Sequence, residues 1–378
     1  MSYRREEVDL GMPSPGVRQS LVFHRYGDPG ARPKAYIQAS IHADEIPAMM
    51  AAHHLLQLLH AADSRGSIRG EIVLVPYANP IGLGQWIDDR SLGRHELRGG
   101  LNFNRSWPDL EEVAADRLDG SLTDDEEANV SCIRKTLLTL LDERQNRHLL
   151  DRKRHALLRE SLTADYVLDV HCDDEALLHL YTLPQHWEEI GDLAAELGAH
   201  VVLLDEGGSI QAFDEVNSRP WLVLQRRFPK RPIPLACVSA TVELRGRADV
   251  SDALGRQDAI AIHRYLTRRR LIADALPDVP ALTCGPTEIE ACEVPRAPAA
   301  GILAYKVRLG SEVEAGEVIA ELVDPYATPG AARLPIRASA AGKIFTRRSD
   351  KYVLAHHPVA KIAGKTALAG GRAYSGED

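Results

Sequence analysis

Residues 34–63, KAYIQASIHADEIPAMMAAHHLLQLLHAAD, predict a buried strand, a short turn and an amphipathic helix. The helix is expected from Pro47 to about Ala62, because proline suits a first helical turn, where its missing N–H leaves no bond unmade. The turn between the two elements carries His42 and Glu45, three residues apart. An imidazole and a carboxylate in one turn are a candidate metal-binding pair, although a solvated turn is an equally simple interpretation.

Similar strands recur along the first three quarters of the chain. Short β-branched runs predict them, and amphipathic or charged helical patterns lie between most of these runs. The alternation predicts an α/β domain over about residues 1–280, with a mixed, mainly parallel sheet flanked by helices. The further runs are EIVLVPYAN at 71–79, DYVLDVH at 165–171, HVVLLDE at 200–206 and ACVSATVEL at 236–244.

The pattern changes after a cluster of prolines at 276–286. Short strands separated by glycine turns predict a small all-β domain of barrel-like form over about 285–366. Residues 301–324, GILAYKVRLGSEVEAGEVIAELVD, resemble half of a biotinyl/lipoyl-type barrel. The hairpin that would carry a modified lysine there, PYATPGAARLPIRA at 325–338, contains no lysine. We therefore expect a structural module, followed by a poorly ordered tail at 367–378.

Composition excludes several classes of function. The chain has 378 residues with 54 acidic and 45 basic side chains, a formal net charge of -9, which argues against general nucleic-acid binding. It has no apolar run of membrane-spanning length and no apolar core of a signal peptide near its start. Five widely spaced cysteines do not predict a disulfide framework. These features predict a cytoplasmic protein.

Polar side chains fall where the predicted strands end, and the carboxyl ends of strands are where open α/β sheets place their active sites. His42 and Glu45 follow the first run, His171 ends DYVLDVH, and Glu243 lies near the end of ACVSATVEL. Two imidazoles and one carboxylate suit zinc and leave a fourth position for water. Each residue also has a structural interpretation: His171 as a core histidine, and Glu243 as the partner of a nearby arginine, Arg245 or Arg247.

The order of four motifs resembles the succinylglutamate desuccinylase/aspartoacylase family, which is related to zinc carboxypeptidases. The motifs are HADE at 42–45, FNRSWP at 103–108, DVH at 169–171 and VEL at 242–244. The resemblance implies a zinc-carboxypeptidase-like fold and an enzyme that removes an acyl group from an amino-acid amide.

The resemblance also implies roles for single residues. One zinc ion per chain would be bound by His42, Glu45 and His171, and Glu243 would be the general base. Asn104 and Arg105 would anchor a substrate carboxylate, since a guanidinium can bind a carboxylate through two hydrogen bonds. An arginine that polarises the scissile carbonyl is expected between the first two motifs. Arg94 is favoured there over Arg90 and Arg98.

The sequence therefore leaves three hypotheses for the function of the protein. The first is a zinc amidohydrolase acting on a small N-acyl amino acid. The second is a metallocarboxypeptidase, whose core residues would be nearly the same but whose site would be an open groove. The third is a non-catalytic metal-binding scaffold. The acyl group and the amine are not specified by any motif, and formation of a homo-oligomer is left open.

Overall fold

The structure is a computed structural model that describes residues 2–206 and 212–368. Its strands are β1 (Arg4–Ser14), β2 (Val17–Tyr26), β3 (Lys34–Ala39), β4 (Glu71–Val75), β5 (Trp86–Ile87), β6 (Arg90–Ser91), β7 (Tyr166–Asp173), β8 (Glu175–Ala176), β9 (His179–Thr182), β10 (Val201–Leu204), β11 (Val238–Gly246), β12 (Pro286–Glu288), β13 (Cys292–Glu293), β14 (Gly301–Tyr305), β15 (Glu312–Val313), β16 (Val318–Val323), β17 (Leu334–Arg337), β18 (Gly342–Arg347), β19 (Tyr352–Val353) and β20 (Ala360–Gly364). Its α-helices are α1 (Ile46–Ser64), α2 (Pro80–Leu83), α3 (Glu111–Leu118), α4 (Glu126–Asp142), α5 (Leu149–Ser161), α6 (Trp187–Leu197), α7 (Phe213–Arg227) and α8 (Asp252–Arg268).

A nine-stranded mixed sheet forms the centre of the molecule, in the order β1-β2-β4-β3-β7-β11-β9-β10-β12. The four central strands β4, β3, β7 and β11 are mutually parallel. Strand β2 runs antiparallel to β4 on one side of them, and β9 runs antiparallel to β11 on the other. The prediction of a mainly parallel α/β sheet with flanking helices is confirmed.

Helices cover both faces of this sheet, which is why its central strands are apolar on both sides. One apolar core joins α1, α6 and α8 to the sheet, and β3 contributes Ala35, Ile37 and Ala39 to it. The other core joins α3, α4, α5 and α7 to the opposite face, where β3 contributes Tyr36. The long charged pattern at 126–162 is interrupted between α4 and α5, as expected.

The C-terminal part forms two small antiparallel sheets. One has the order β13-β20-β18-β15, with β8 also paired to β18, and the other has the order β17-β16-β14-β19. A shared apolar core includes Leu303, Ile319 and Ile344. Strand β12 pairs with β10 in the central sheet, and the small sheets begin at Cys292 in the C-terminal part. The domain bounds of about 285–366 stay a prediction. Of the predicted tail 367–378, residues 369–378 lie outside the described part.

None of the helices in the described ranges is long and apolar enough to cross a membrane.

Candidate metal centre

The turn after β3 directs His42 and Glu45 over the carboxyl end of the sheet. Ser40 has a left-handed backbone conformation, with φ of 57°, which turns the chain out of the strand. Its hydroxyl donates to the main-chain oxygen of Glu45 at 2.8 Å, so the turn is closed. Helix α1 then begins at Ile46 with Pro47 in its first turn. Strand and helix together therefore hold both candidate ligands in place.

His42, Glu45 and His171 converge on one point, as the sequence predicted. Each offers one ligand atom, and the three atoms lie within 4.8 Å of one another. Glu45 Oε1 lies 2.9 Å from His42 Nδ1, and Glu45 Oε2 lies 2.7 Å from His171 Nδ1. All three side chains are buried, with residue exposures of 1–3 %. A carboxylate bridging two imidazoles in a buried space is a donor set that suits zinc.

The outward nitrogen of each imidazole is held by an oxygen. His42 Nε2 lies 2.8 Å from Asn102 Oδ1, which also accepts from the main-chain N–H of Asn104 at 2.9 Å. His171 Nε2 lies 2.8 Å from Asp169 Oδ2. Oxygens in these positions favour a proton on each Nε2 and direct each Nδ1 inward, the arrangement that metal-binding histidines usually have.

These supporting residues were not predicted from the sequence. Asp169 was expected to face away from His171, and that expectation is wrong, because residues two apart on a strand share a face. Gln38 Nε2 donates to Asp169 Oδ1 at 2.9 Å and orients its carboxylate. Asn102 has no comparable signal, because it reaches His42 from a loop 60 residues away.

The protonation states show that a divalent cation fits this site. Burial lowers the pKa of His42 to about 4, so its imidazole is neutral at pH 7. In the tautomer that donates from Nε2 to Asn102 Oδ1, His42 Nδ1 presents a lone pair to Glu45 Oε1. Two facing lone pairs repel each other, and a cation bound by both atoms removes the conflict. The pKa of Glu45 is held well below its ordinary value, against the effect of burial, by His171 and His42.

Glu243 lies beside the cluster on the neighbouring strand. It is opposite His171 in the β11–β7 register and opposite His179 in the β11–β9 register. Its Oε2 is buried and has no hydrogen-bond partner among the residues that the structure describes. Burial raises the pKa of Glu243 to about 8. A carboxyl group with a pKa near neutrality can exchange a proton in both directions, as a general acid–base group must.

The arginine pairing that offered a structural role for Glu243 is not found. Arg245 pairs with Asp258, and Arg247 Nη1 donates to Asp44 Oδ2 at 2.7 Å. Both guanidinium groups are therefore bound to other carboxylates. Neither arginine therefore offsets the free-energy cost of removing the Glu243 carboxylate from water.

Of the three candidate arginines, Arg94 contacts the cluster. Its Nη1 lies 3.6 Å from Glu45 Oε1 and 3.5 Å from His42 Nδ1. Arg90 belongs to the short hairpin of β5 and β6. Arg98 lines a separate surface cavity together with Glu96 and Asp151. The placement agrees with the preference for Arg94.

Asn104 and Arg105 follow Asn102 in the loop. The Asn104 side chain is buried, and its Oδ1 accepts from Trp107 Nε1 and from the main-chain N–H of Phe213, both at 3.0 Å. Its Nδ2 lies 3.3 Å from Asp169 Oδ2. These contacts join Asn104 to the supporting residues of the cluster, and its predicted contact with substrate stays a prediction. Arg105 is half-buried and donates from Nη1 to the main-chain oxygen of Asn104 at 2.8 Å.

The fold and the cluster together define an α/β protein with three side chains at the carboxyl ends of its strands that could hold a metal ion. Residues 31–266 match the family model of the succinylglutamate desuccinylase/aspartoacylase catalytic domain. The chain belongs to the succinylglutamate desuccinylase/aspartoacylase family, a family of deacylases. The resemblance inferred from the four motifs is thereby confirmed. Among curated proteins, no match to the chain is found.

Solved structures share the fold over nearly the whole chain. A family member from Shewanella amazonensis is 24% identical with a TM-score of 0.81, covering 95% of this chain and 98% of that one. One from Shewanella frigidimarina is 23% identical with a TM-score of 0.82, covering 96% and 97%. The product-bound ectoine utilization protein EutE (DoeB) from Ruegeria pomeroyi is 16% identical with a TM-score of 0.69, covering 96% and 95%. At these identities the likeness establishes the fold.

Proposed function

We propose that the protein is a zinc-dependent amidohydrolase that removes the acyl group from an N-acyl amino acid or a related small linear amide. The observation that carries the proposal is the convergence of His42, Glu45 and His171 beside Glu243, whose buried Oε2 has no hydrogen-bond partner among the described residues. Membership of a deacylase family agrees with this reaction type. We also propose that residues 292–364 are a β-domain of their own without a modified lysine.

Zinc would be held by His42, Glu45 and His171, and when bound it would polarise the scissile carbonyl and lower the pKa of water. The carboxylate of Glu243 takes a proton from the attacking water as the new carbon–oxygen bond forms. It then returns that proton to the amide nitrogen, because an amine leaves readily only when it is protonated. The carbon–nitrogen bond breaks, and a carboxylic acid and an amine are released. One side chain thus serves both proton transfers.

Three other residues complete the proposed site. Arg94 stabilises negative charge that develops on the carbonyl oxygen, as its position 3.6 Å from Glu45 Oε1 allows. Arg105 pairs with a carboxylate of the substrate. Asn104 is proposed to share that contact, and its amide Nδ2 also lies 3.3 Å from Asp169 Oδ2.

The first test is metal analysis of the purified chain combined with a panel of N-acyl amino acids assayed for amine release. We expect about one zinc per chain and hydrolysis of at least one acyl amino acid. Release of C-terminal residues from peptides, with no acyl amino acid cleaved, would instead support the carboxypeptidase hypothesis. Zinc binding with no hydrolysis of either class would support the scaffold hypothesis.

The second test is Glu243→Gln, which keeps the shape of the side chain and removes its acid–base function. Turnover should fall about 10²–10⁴-fold, the usual contribution of a general acid–base group. Zinc content should stay at the wild-type level, because Glu243 is not one of the proposed ligands. Glu293→Gln is a matched control, since Glu293 is a buried carboxylate bound to main-chain N–H groups of Ser339 and Ala340. Loss of zinc from Glu243→Gln would make Glu243 a ligand and contradict the proposed roles.

A further inference from the structure

The C-terminal sheets bind the segment that directly follows the strand of His171. Three successive acidic residues there are each held from the C-terminal side. Lys361 Nζ donates to Asp173 Oδ2 at 2.7 Å, Ser349 Oγ donates to Asp174 Oδ1 at 3.0 Å, and Arg347 Nη2 and Lys351 Nζ donate to Glu175 at 2.8 and 2.6 Å. Strand β8 also pairs with β18 in the same region. The end of β7 is therefore fixed by residues about 175–190 positions later in the chain.

Among these contacts, the pair of Lys361 and Asp173 is the most deeply placed. Lys361 is 7 % exposed, whereas the side chain of Lys351 is 40 % exposed. Asp173 follows His171 by two residues, so the two side chains leave β7 on the same face. A buried cation placed on this face lies close to the group of carboxylates around the proposed metal site.

Asp173 connects Lys361 to the surroundings of Glu243. Asp173 Oδ2 lies 3.8 Å from His179 Nε2, and His179 is the partner of Glu243 in the β11–β9 register. The His179 ring is fully buried and packs edge-on against Phe345 of β18, with ring centroids 4.9 Å apart. The ring is held by a hydrogen bond from Nδ1 to the main-chain oxygen of Leu177 at 2.8 Å, while its Nε2 faces Asp173 without a hydrogen bond in the described part of the chain. The neighbour of Glu243 in the sheet is therefore a histidine that also packs against Phe345 of the C-terminal sheets.

Glu243 depends on this packing for its orientation. Its Oε2 has no hydrogen bond within the described part of the chain, so its neighbours in the sheet, His171 and His179, limit how the side chain can turn. A shift of about 1 Å at a reacting group can lower a rate by about 10²-fold. Small movements of His179 are thus expected to matter for turnover.

We propose that Lys361 is a positioning residue for Glu243, which it serves by fixing Asp173 and, through Asp173, the imidazole of His179. The inference rests on the proposed function, in which Glu243 is the acid–base group. The C-terminal sheets would thus affect the chemical step, in addition to any effect on access to the site.

The experiment compares Lys361→Met, Lys361→Arg and Asp173→Asn in the full chain loaded with zinc. Lys361→Met should lower kcat by about 10–100-fold and leave KM within about threefold, because positioning of the acid–base group affects the chemical step. Lys361→Arg should recover most of the loss by restoring a cation. The double variant Lys361→Met/Asp173→Asn should be no slower than the slower single variant, since both changes break the same contact.

The matched control is Lys351→Met, which removes a more exposed ion pair from the same interface. It should keep kcat within about twofold of wild type, as expected for a solvent-exposed pair. A loss in Lys351→Met as large as that in Lys361→Met would overturn the inference, because it would reflect general loosening of the interface. An unchanged kcat in Lys361→Met would overturn it as well. If Lys361→Met does not fold, Lys361→Arg and Asp173→Asn still decide the question.

Amide hydrogen exchange separates failure of this inference from failure of the proposed function. In zinc-loaded protein, peptides covering 171–177 should exchange at least about tenfold faster in Lys361→Met than in Lys351→Met, because local opening is more favourable. This measurement needs no substrate. Inactive wild-type protein with the expected exchange difference would refute the deacylase proposal alone. Active wild-type protein with no difference in kcat or exchange would refute the role of Lys361 alone.

Discussion

Replacing Asp169 with asparagine should weaken zinc binding in a way that depends on pH. Asp169 is fully buried, accepts from His171 Nε2 at 2.8 Å and accepts from Gln38 Nε2 at 2.9 Å. Asparagine has nearly the same shape, so the substitution mainly removes the negative charge behind His171. A less negative partner makes the imidazole a poorer ligand.

The size of the effect follows from two opposing contributions. Loss of such a supporting contact costs about 10–100-fold in metal affinity, or about 1.4–2.7 kcal/mol. Burial alone would lower the pKa of His171, but Asp169 and Glu45 outweigh it and hold that pKa well above its ordinary value. Protons therefore compete with zinc for His171 in the wild type. Asp169→Asn lowers this pKa, so protons compete less with zinc in the variant.

The sign of the pH dependence is then determined. At pH values below the wild-type pKa of His171, protons compete with zinc for His171 less strongly in Asp169→Asn than in wild type. This difference offsets part of the variant's loss of zinc affinity. Above that pKa, neither protein binds a competing proton and the full loss appears. The ratio of wild-type to variant affinity should therefore increase with pH.

Competition with a chelator at pH 6, 7, 8 and 9 measures this ratio on the full chain. Asp63→Asn is the control, because Asp63 is a buried carboxylate on α1 that accepts from Ser2 and Tyr3, far along the chain from the cluster. A ratio near one at pH 9 would refute the role of Asp169. A ratio that stays constant from pH 6 to 9 would refute the assignment of a protonated His171 in the metal-free protein.

Three further predictions are independent of this one. Arg105→Lys should lower kcat/KM for the best N-acyl amino acid by about 10–100-fold, because an ammonium cannot form the bidentate contact of a guanidinium. The surface substitution Arg18→Lys is the control and should leave kcat/KM unchanged. If Arg105→Lys has the same kcat/KM as wild type, Arg105 has a structural role only. Lys153→Met should raise the free energy of unfolding by about 1–3 kcal/mol at pH 7, since burial lowers the pKa of Lys153 far below its ordinary value and its Nζ has no hydrogen-bond partner in the described ranges. Urea unfolding at pH 7 and 10 measures this difference in unfolding free energy. In the unfolded chain Lys153 stays protonated up to about pH 10.4, so the stability gained by Lys153→Met should decrease as pH rises. A variant less stable than wild type would contradict the prediction. Intact-mass measurement should find no biotinyl or lipoyl adduct, and an adduct would indicate a carrier function.

The parts of the fold that were predicted correctly are those with strong local patterns. The mostly apolar run at 34–41 identified a central strand, because strands covered on both faces are rich in apolar residues on both sides. Pro47 marked the start of α1 to within one residue. That His42, Glu45 and His171 come together could be predicted because polar groups at the ends of buried strands are unusual, and parallel topology brings such ends to one edge of the sheet.

The parts that were missed depend on contacts between distant segments. The hairpin of β1 and β2 was not predicted, since its first strand is largely exposed and lacks an apolar pattern. Asn102 supports His42 from an irregular loop whose path no periodicity specifies. Lys361 lies 188 residues after Asp173, and nothing near either residue in the sequence indicates that they pair. Side chains brought together by domain contacts leave no local signature.

The charge distribution explains why this cluster suits a cation more than it suits an ordinary buried network. Three carboxylates, those of Glu45, Asp169 and Glu243, surround two imidazoles at the carboxyl end of the sheet. Burying carboxylates is costly unless positive charge compensates for them. In the metal-free protein part of that compensation comes from protons, which is why the pKa values of His171 and Glu243 are both raised. A divalent cation can replace those protons, so the energy that opposes burial of the carboxylates becomes affinity for the metal.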